Sequence, residues 1–516
     1  METNTLQSLL SDVIDFLRSA DSLLNSHMVS FISENVWENR IPGEIAEEIN
    51  RMTYDDTLNV LYAIGGLKDE ASLIDYVLSP PVDCRALVQF LVQCRKYSLE
   101  VLSSTRETRR YFKCKTKEGD EGSLVLKCVK PNISPQYLTP AKKRHEVSLM
   151  SVFIAGFFQK YLDKYEISGA VVDIGGGKGY LGSSLALHHG IKVLGVDVAS
   201  NVSSAAKTRN EKICRKLSEK CTLYQQKTAY VSPKTDLGGL VKELEGDWGK
   251  VDCVALVGLH TCGNLGPSCV ELFASKASSG IPISMLCNVG CCYNLLEEKF
   301  DPEGYSNRAK PCLPPSLNGK LVEVPLDSNP GFPMSTFLCN KNFWLGRNAR
   351  NLASQSLDRV MFEKKISVDA LFQRALLQNV LMELANDASE PERGVLLLKL
   401  EKMLIDGKGI GRLAKGNCVL GVYEYFTRAF GKLGLKFTLS ESDVDEMCLK
   451  FKHFKSKITM FYIMRMFLAP VVETVILLDR LLYILEEGIN EAYLVKLFDP
   501  VVSPRCFALC ARINID

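Results

Sequence analysis

At 516 residues the chain is too long for one hydrophobic core, so two or more lobes are expected. Its 46% hydrophobic and 24% charged residues are those of an ordinary soluble globular protein, and a formal net charge of +2 excludes whole-molecule steering toward nucleic acid. Eighteen cysteines, with no basic or apolar leader after Met1-Glu2-Thr3-Asn4, read as reduced thiols; this excludes a secreted disulfide scaffold and points to cytoplasm or nucleus.

Residues 1–130 read as a helical N-terminal region. Leu6 to Leu17 is amphipathic, Ser30-Phe31-Ile32 to Trp37 continues it, and Arg85 to Leu102 has the same period. The tract from Arg106 to Lys117 is the most basic local stretch, either a solvated loop or an RNA contact. Thr139-Pro140-Ala141-Lys142-Lys143-Arg144-His145-Glu146 opens a helix ahead of the first strand. A helix there covers one side of a ligand pocket, so its Lys or His side chains either face a ligand or stand as a basic turn in water.

Residues 131–345 alternate strand and helix. Strands are predicted at Ala170–Ile174, Val193–Val196, Thr222–Gln225, Val251–Val257 and Ile283–Cys287, which gives a parallel sheet with right-handed crossovers. The first strand delivers Asp173 into the turn Gly175-Gly176-Gly177-Lys178-Gly179-Tyr180, and the second ends on Asp197. Glycines let the backbone approach a ligand at the carboxyl edge of a parallel sheet, and an acid after the second strand suits ribose hydroxyls. Two registers compete. Gly177-x-Gly179-x-x-Gly182 fits a dinucleotide, whereas Asp173-x-Gly175-x-Gly177-x-Gly179 fits S-adenosylmethionine. A carboxylate at 173 repels a pyrophosphate but suits the ammonium of a methionine moiety, so S-adenosylmethionine is the expected cofactor. Asp173, Gly175, Gly177, Gly179, Tyr180 and Asp197 are the expected cofactor residues.

The loops after the fourth and fifth strands read Gly258-Leu259-His260-Thr261-Cys262-Gly263-Asn264 and Asn288-Val289-Gly290-Cys291-Cys292-Tyr293-Asn294. Both rise from neighbouring strands, so His260, Cys262, Cys291 and Cys292 should cluster where a methyl group is delivered. Four readings stand: His260 as general base, a cysteine adding covalently to a pyrimidine, a one-His three-Cys zinc set, or packed core residues. Adjacent cysteines seldom aim both sulfurs at one ion, so no metal is expected. His260 and Cys262 are the expected catalytic residues.

Gly331-Phe332-Pro333-Met334-Ser335 is a proline turn whose apolar neighbours read as exposed, either lining a cleft or forming a loop. Residues 346–487 read as a helical insertion. Within it Ile458 to Leu485 carries Arg465, Glu473, Asp479 and Arg480 at helical spacing, a buried amphipathic helix rather than a membrane span. Residues 488–516 hold Tyr493–Phe498 and Phe507–Ala511, a β-hairpin that closes the sheet started nearly two hundred residues earlier.

Together these strings resemble the methyltransferase-like protein 25 family, which includes the ribosomal RNA adenine dimethylase domain-containing proteins. The matching residues are Lys142-Lys143-x-His145-Glu146, Asp173 to Leu181, Leu259 to Gly263, Asn288 to Tyr293, Phe332 to Ser335, Gly346 to Arg350, Leu468-Ala469-Pro470 with Asp479-Arg480, and Ser503-Pro504-Arg505. The resemblance implies an α/β, class I S-adenosylmethionine-dependent methyltransferase fold: a Rossmann-like seven-stranded sheet with a helical N-terminal region and a helical insertion before the last two strands. The His-x-Cys-Gly and Cys-Cys strings are also similar to those of certain tRNA ribose 2′-O-methyltransferases, which favours an RNA substrate over a protein one. A non-catalytic scaffold is the third reading. Asn264 stands where the family usually has an acid, which puts any catalytic use of that acid in doubt; a polar cap for the next helix is kept.

Overall fold

The computed structural model describes residues 2–78, 84–105, 107–113, 141–217, 222–275, 280–300, 330–366, 368–387, 393, 394, 396, 397, 420–435 and 439–514. Arg106 and residues 114–117 of the basic tract, and the start of the helix-opening string, Thr139-Pro140, lie outside them.

Five parallel strands run β2 (Gly169–Ile174), β3 (Lys192–Asp197), β4 (Tyr224–Thr228), β5 (Cys253–Thr261) and β6 (Ile283–Gly290). The hairpin β7 (Ala492–Lys496) and β8 (Phe507–Arg512) completes a seven-stranded mixed sheet, with β8 antiparallel to both β6 and β7. A two-residue strand, β1 (Phe112–Lys113), pairs with β7, so the full order is β1-β7-β8-β6-β5-β2-β3-β4. This is the class I methyltransferase sheet, with helices packed on both faces.

Hydrophobic pattern explains which strands were predicted well. In β2 five of six residues are buried and in β6 all eight are, so both read as continuous apolar runs. Strand β4 is Tyr-Gln-Gln-Lys-Thr on the sheet edge, with one buried residue; it starts two positions later than its predicted Thr222. Near the N-terminus the amphipathic helix is Glu2–Ser19, but residues 30–37 do not continue it. The chain breaks through a 3₁₀ turn at Met28–Ser30 and a left-handed Asn35 (φ +46°) before Val36–Arg40. The Arg85–Leu102 period likewise splits at Ser98, which caps a second short helix.

Phe454–Glu486 organises the rest. It is the one helix among the described residues long and apolar enough to cross a membrane, and 89% of its most apolar window is buried inside the protein. The expected amphipathic face is absent, because Arg465, Glu473, Asp479 and Arg480 are all buried. Three of these charges are met from inside. Arg465 donates to Leu24 O at 3.1 Å; Glu473 pairs with Arg505 at 3.0 Å and accepts from Tyr293 Oη at 3.1 Å. Asp479 accepts the Met334 and Ser335 amides at 2.7 and 2.9 Å and the Ser335 hydroxyl at 2.6 Å. Buried charges are tolerated only when so paired. The Asp479 bonds also correct the reading of the proline turn: Phe332 and Met334 are buried core residues, not exposed cleft residues.

Candidate functional site

The strand order reverses between β2 and β5, and ligands of open α/β sheets bind at such a switch point, beyond the carboxyl ends of the strands. Asp173 on β2 lies opposite Val257 on β5, three residues before His260. The cavity there is lined by Lys143, Asp173, Gly175, Gly176, Gly177, Lys178, Tyr180, Leu181, Leu259 and His260. Gly175, Gly177 and Gly179 have φ values of +65°, +57° and +67°, where a side chain is strained. Their surroundings differ. A Cβ on Gly177 would meet only the Gly175 carbonyl oxygen, at 3.9 Å, whereas one on Gly179 would strike the Tyr224 phenol packed beneath the turn. Gly177 therefore forms the floor of the cradle and Gly179 its foundation. Asp197 lies outside the cavity wall: its carboxylate accepts the Gly177 amide at 3.0 Å and the Ala199 amide at 3.0 Å, fixing the turn to the end of β3. The Tyr180 ring is held by the Arg209 guanidinium, 4.3 Å from its centroid.

Asp173 tests whether these residues fit S-adenosylmethionine. It is buried, and its Oδ2 has no hydrogen-bond partner among the described residues. Burial pushes its carboxyl up to about 7, against the Gly182 amide and Lys143, which favour the ionised form. An orphaned carboxylate oxygen beside a glycine cradle suits an amino-acid ammonium and repels a pyrophosphate. The residues fit. Because a cation binds the ionised form, binding below that value must expel a proton. Affinity for S-adenosylmethionine should rise by up to about tenfold per pH unit toward pH 7 and level off above it. Calorimetric titration should show this slope in the native chain, a flat and weak profile in Asp173→Asn, and no binding in Gly177→Asp. A native affinity that ignores pH would remove Asp173 from the ammonium site.

His260 sits at a β-bulge. The β5–β6 register runs Leu259↔Val289 and then Thr261↔Gly290, so His260 is the extra residue, at φ +69°. Buried Thr261 secures the bulge through its hydroxyl to Asn288 Oδ1 at 3.0 Å and Val289 O at 3.2 Å. The bulge turns the imidazole toward the helix Ala141–Tyr165, where its Nε2 meets Glu146 Oε2 at 2.9 Å. Glu146 is 1% exposed, and its Oε1 accepts the Ser503 hydroxyl at 2.8 Å. Burial by itself would raise this carboxyl; the hydrogen bond and charge of His260, Ser503 and Lys142 outweigh it and hold it down to about 2. An ionised carboxylate can only accept, so Nε2–H donates and Nδ1 keeps its lone pair in the neutral ring. Sequence reasoning quoted Glu146 but gave it no role. Its signal was there: a lone acid after Lys142-Lys143-Arg144, on the helix that covers the pocket.

Of the other cations in that string, Lys143 reaches the cavity, and both Lys142 and Lys143 pair with Glu146 at 3.6 and 3.9 Å. His145 turns away, its Nε2 accepting the Asp499 amide at 3.0 Å in the β7–β8 loop. Cys262 does not line the cavity. It joins Cys291 and Cys292 on the outer side of the bulge, with Sγ···Sγ distances of 3.0, 3.3 and 3.5 Å among the three. The expectation that adjacent cysteines diverge is not met. Asn264 makes no side-chain cap; its amide donates to Glu297 Oε2 at 2.7 Å and its oxygen accepts the Glu297 amide at 2.9 Å. An acid there would face the Glu297 carboxylate, so asparagine at this position ties one loop to the next.

Residues 142–299 match a family model described as a methyltransferase domain. The chain is 25% identical over 646 aligned positions to the Homo sapiens "Probable methyltransferase-like protein 25", covering 98% of this chain and 97% of that protein. It is 33% identical over 293 positions to the Mus musculus protein of the same name, covering 56% of this chain and 41% of that one.

Proposed function

We propose that this chain, homologous to the methyltransferase-like protein 25 family and carrying a methyltransferase domain, methylates RNA. The domain and fold make it an S-adenosylmethionine-dependent methyltransferase. Asp173, the Gly175–Gly177 cradle and Tyr180 would hold the cofactor, with Asp197 bracing the turn. Bound there, S-adenosylmethionine supplies an electrophilic methyl group, and everything else is asked of the protein's own side chains.

The observation that carries the reading is the Glu146–His260 pair, in which His260 lines the cavity and Glu146 is buried behind it. Glu146 fixes the imidazole with Nδ1 as the acceptor, and a histidine so oriented can take a proton from a hydroxyl or amino group as that group attacks. The paired carboxylate then stabilises the imidazolium, as in other carboxylate–histidine arrangements. RNA is favoured over protein by the rim of the pocket: Lys142 and Arg144 are exposed beside it, and Lys143 and Lys178 line it. Those cations suit a phosphate backbone, which supplies most nonspecific affinity in nucleic-acid binding.

The test uses the purified full chain, labelled S-adenosylmethionine, and separate RNA and protein fractions from cells. Label that enters the RNA fraction, is released by nuclease and is absent with Gly177→Asp supports the reading. Label on protein alone, or on neither fraction, overturns it.

A further inference from the structure

We propose that Cys262, Cys291 and Cys292 form a binding site for one thiophilic metal ion, zinc(II) or copper(I), at the edge of the catalytic loops. The parallel register of β5 and β6 brings their ends side by side, and the bulge at His260 turns Cys262 across to the Cys291-Cys292 pair. All three sulfurs lie within 4.8 Å of one another. Their 3.0, 3.3 and 3.5 Å separations are at or below the ~3.5–4.0 Å at which even carbon atoms settle. Sulfur is the larger atom, so three neutral thiols would be crowded here, whereas thiolates drawn onto a shared cation would not. A metal with the ~2.3 Å bonds of zinc thiolates sets its sulfurs roughly 3.8 Å apart, so the cluster need open by less than about 1 Å.

Charge and access agree. Three thiolates around a divalent ion leave one net negative charge, and two buried guanidiniums stand behind the loop. The Tyr293 ring, next to Cys292, lies 5.8 Å from Arg480 and 5.5 Å from Arg505. Arg480 Nε and Nη1 have no hydrogen-bond partner among the described residues, and Nη1 lies where a Cβ on Gly290 would be, 2.7 Å away. Cys262 is exposed, which gives the ion an entry path and leaves a fourth position open to water. His260 is not part of the set: the potential ligand atoms that come within 4.8 Å of one another here are those of Cys262, Cys291 and Cys292 alone among the described residues. Binding would release the thiol protons to solvent as sulfur–metal bonds form, with no change in oxidation state. Its effect would be to tie the loop carrying His260 to the loop after β6.

The full chain, purified under reducing conditions, should carry about one equivalent of zinc or copper by elemental analysis, which also tells the two apart. After chelation, cobalt(II) should bind with the intense thiolate-to-cobalt charge-transfer band of a sulfur-rich site. Cys262→Ser, Cys291→Ser and Cys292→Ser should each weaken or abolish that band, while Cys339→Ser, a thiol elsewhere, should retain it. Should any variant misfold, the cobalt titration of the native chain still decides. No metal after purification and no charge-transfer band on cobalt addition would overturn the site, as would an unchanged band in all three variants. A mass matching an internal disulfide under the same reducing conditions would overturn it too.

Discussion

A chain ending before Ile489 is expected to be insoluble. The truncation removes both β7 and β8, which takes away one end of the sheet, leaves β1 without its partner and makes β6 the new edge. Residues 489–516 bury eight large apolar side chains, Ile489, Tyr493, Leu494, Val495, Leu497, Phe498, Phe507 and Leu509. At roughly 1.5–3 kcal/mol each, their loss amounts to about 12–24 kcal/mol, against a typical domain stability of about 5–15 kcal/mol. The truncation also removes Arg505 and leaves Glu473 buried without its ion-pair partner, a change that costs about 3–5 kcal/mol on its own. Beyond stability, β6 is left with a row of unpaired backbone groups, a template for aggregation. The check is the soluble fraction on expression, followed by cofactor titration of any soluble material. A truncated chain that stays in solution and binds S-adenosylmethionine as the native chain does would show the hairpin to be dispensable.

How much of this was legible in sequence depended on whether the signal was local. The Asp173–Gly179 turn declared itself because strand, acid and glycines are contiguous. The hairpin was legible despite its distance, since each strand is apolar and bounded by turn residues such as Asp499-Pro500 and Ser503-Pro504. What stayed hidden was pairing. Glu146 and His260 are 114 residues apart, and nothing in a basic helix start announces which strand end its one acid will meet. Asp479 and its partners Met334 and Ser335 are separated by 145 and 144 residues, so helical spacing shows an acid on a buried amphipathic helix but not what it binds. The bulge at His260 was equally invisible, since a one-residue register slip leaves no mark on an apolar strand. It decides the site nonetheless, sending the imidazole toward the pocket and Cys262 toward Cys291.

Seen through those pairings, the strings that carry the family resemblance serve one structure. Ser503 holds the outer oxygen of Glu146, Arg505 pairs with Glu473, and Glu473 accepts from Tyr293 beside the cysteine pair. Arg350 pairs with Glu298 at 2.9 Å, and Glu298 accepts the Gly346 amide at 3.2 Å. The long helix and the closing hairpin thus hold, from behind, the β5 loop that lines the cofactor cavity and the β6 loop beside it. This gives the helical insertion a physical reason for being where it is: it supplies buried charges that position the β5 and β6 loop ends.

His260→Ala is expected to lower methyl transfer by roughly 10²–10⁴-fold, the usual size of a general-base contribution, while S-adenosylmethionine affinity stays near native because Asp173 and the glycine cradle are untouched. The neighbouring thiols are expected to behave differently: Cys262→Ala and Cys291→Ala should cost far less than His260→Ala, since neither sulfur lines the cavity. A covalent mechanism predicts the reverse order, with a cysteine variant inactive and a 5-fluoropyrimidine RNA trapping an adduct. Glu146→Gln separates positioning from simple structural loss. Glutamine fills the same space and can still accept from Nε2–H, but it carries no charge to offset the one that develops on the ring as the proton is taken. Methyl transfer should therefore fall in Glu146→Gln while melting temperature and S-adenosylmethionine affinity stay near native. A merely structural role for Glu146 would lower melting temperature and leave the rate per folded molecule unchanged. Full activity in His260→Ala, or in Glu146→Gln, would take the proton transfer away from this pair.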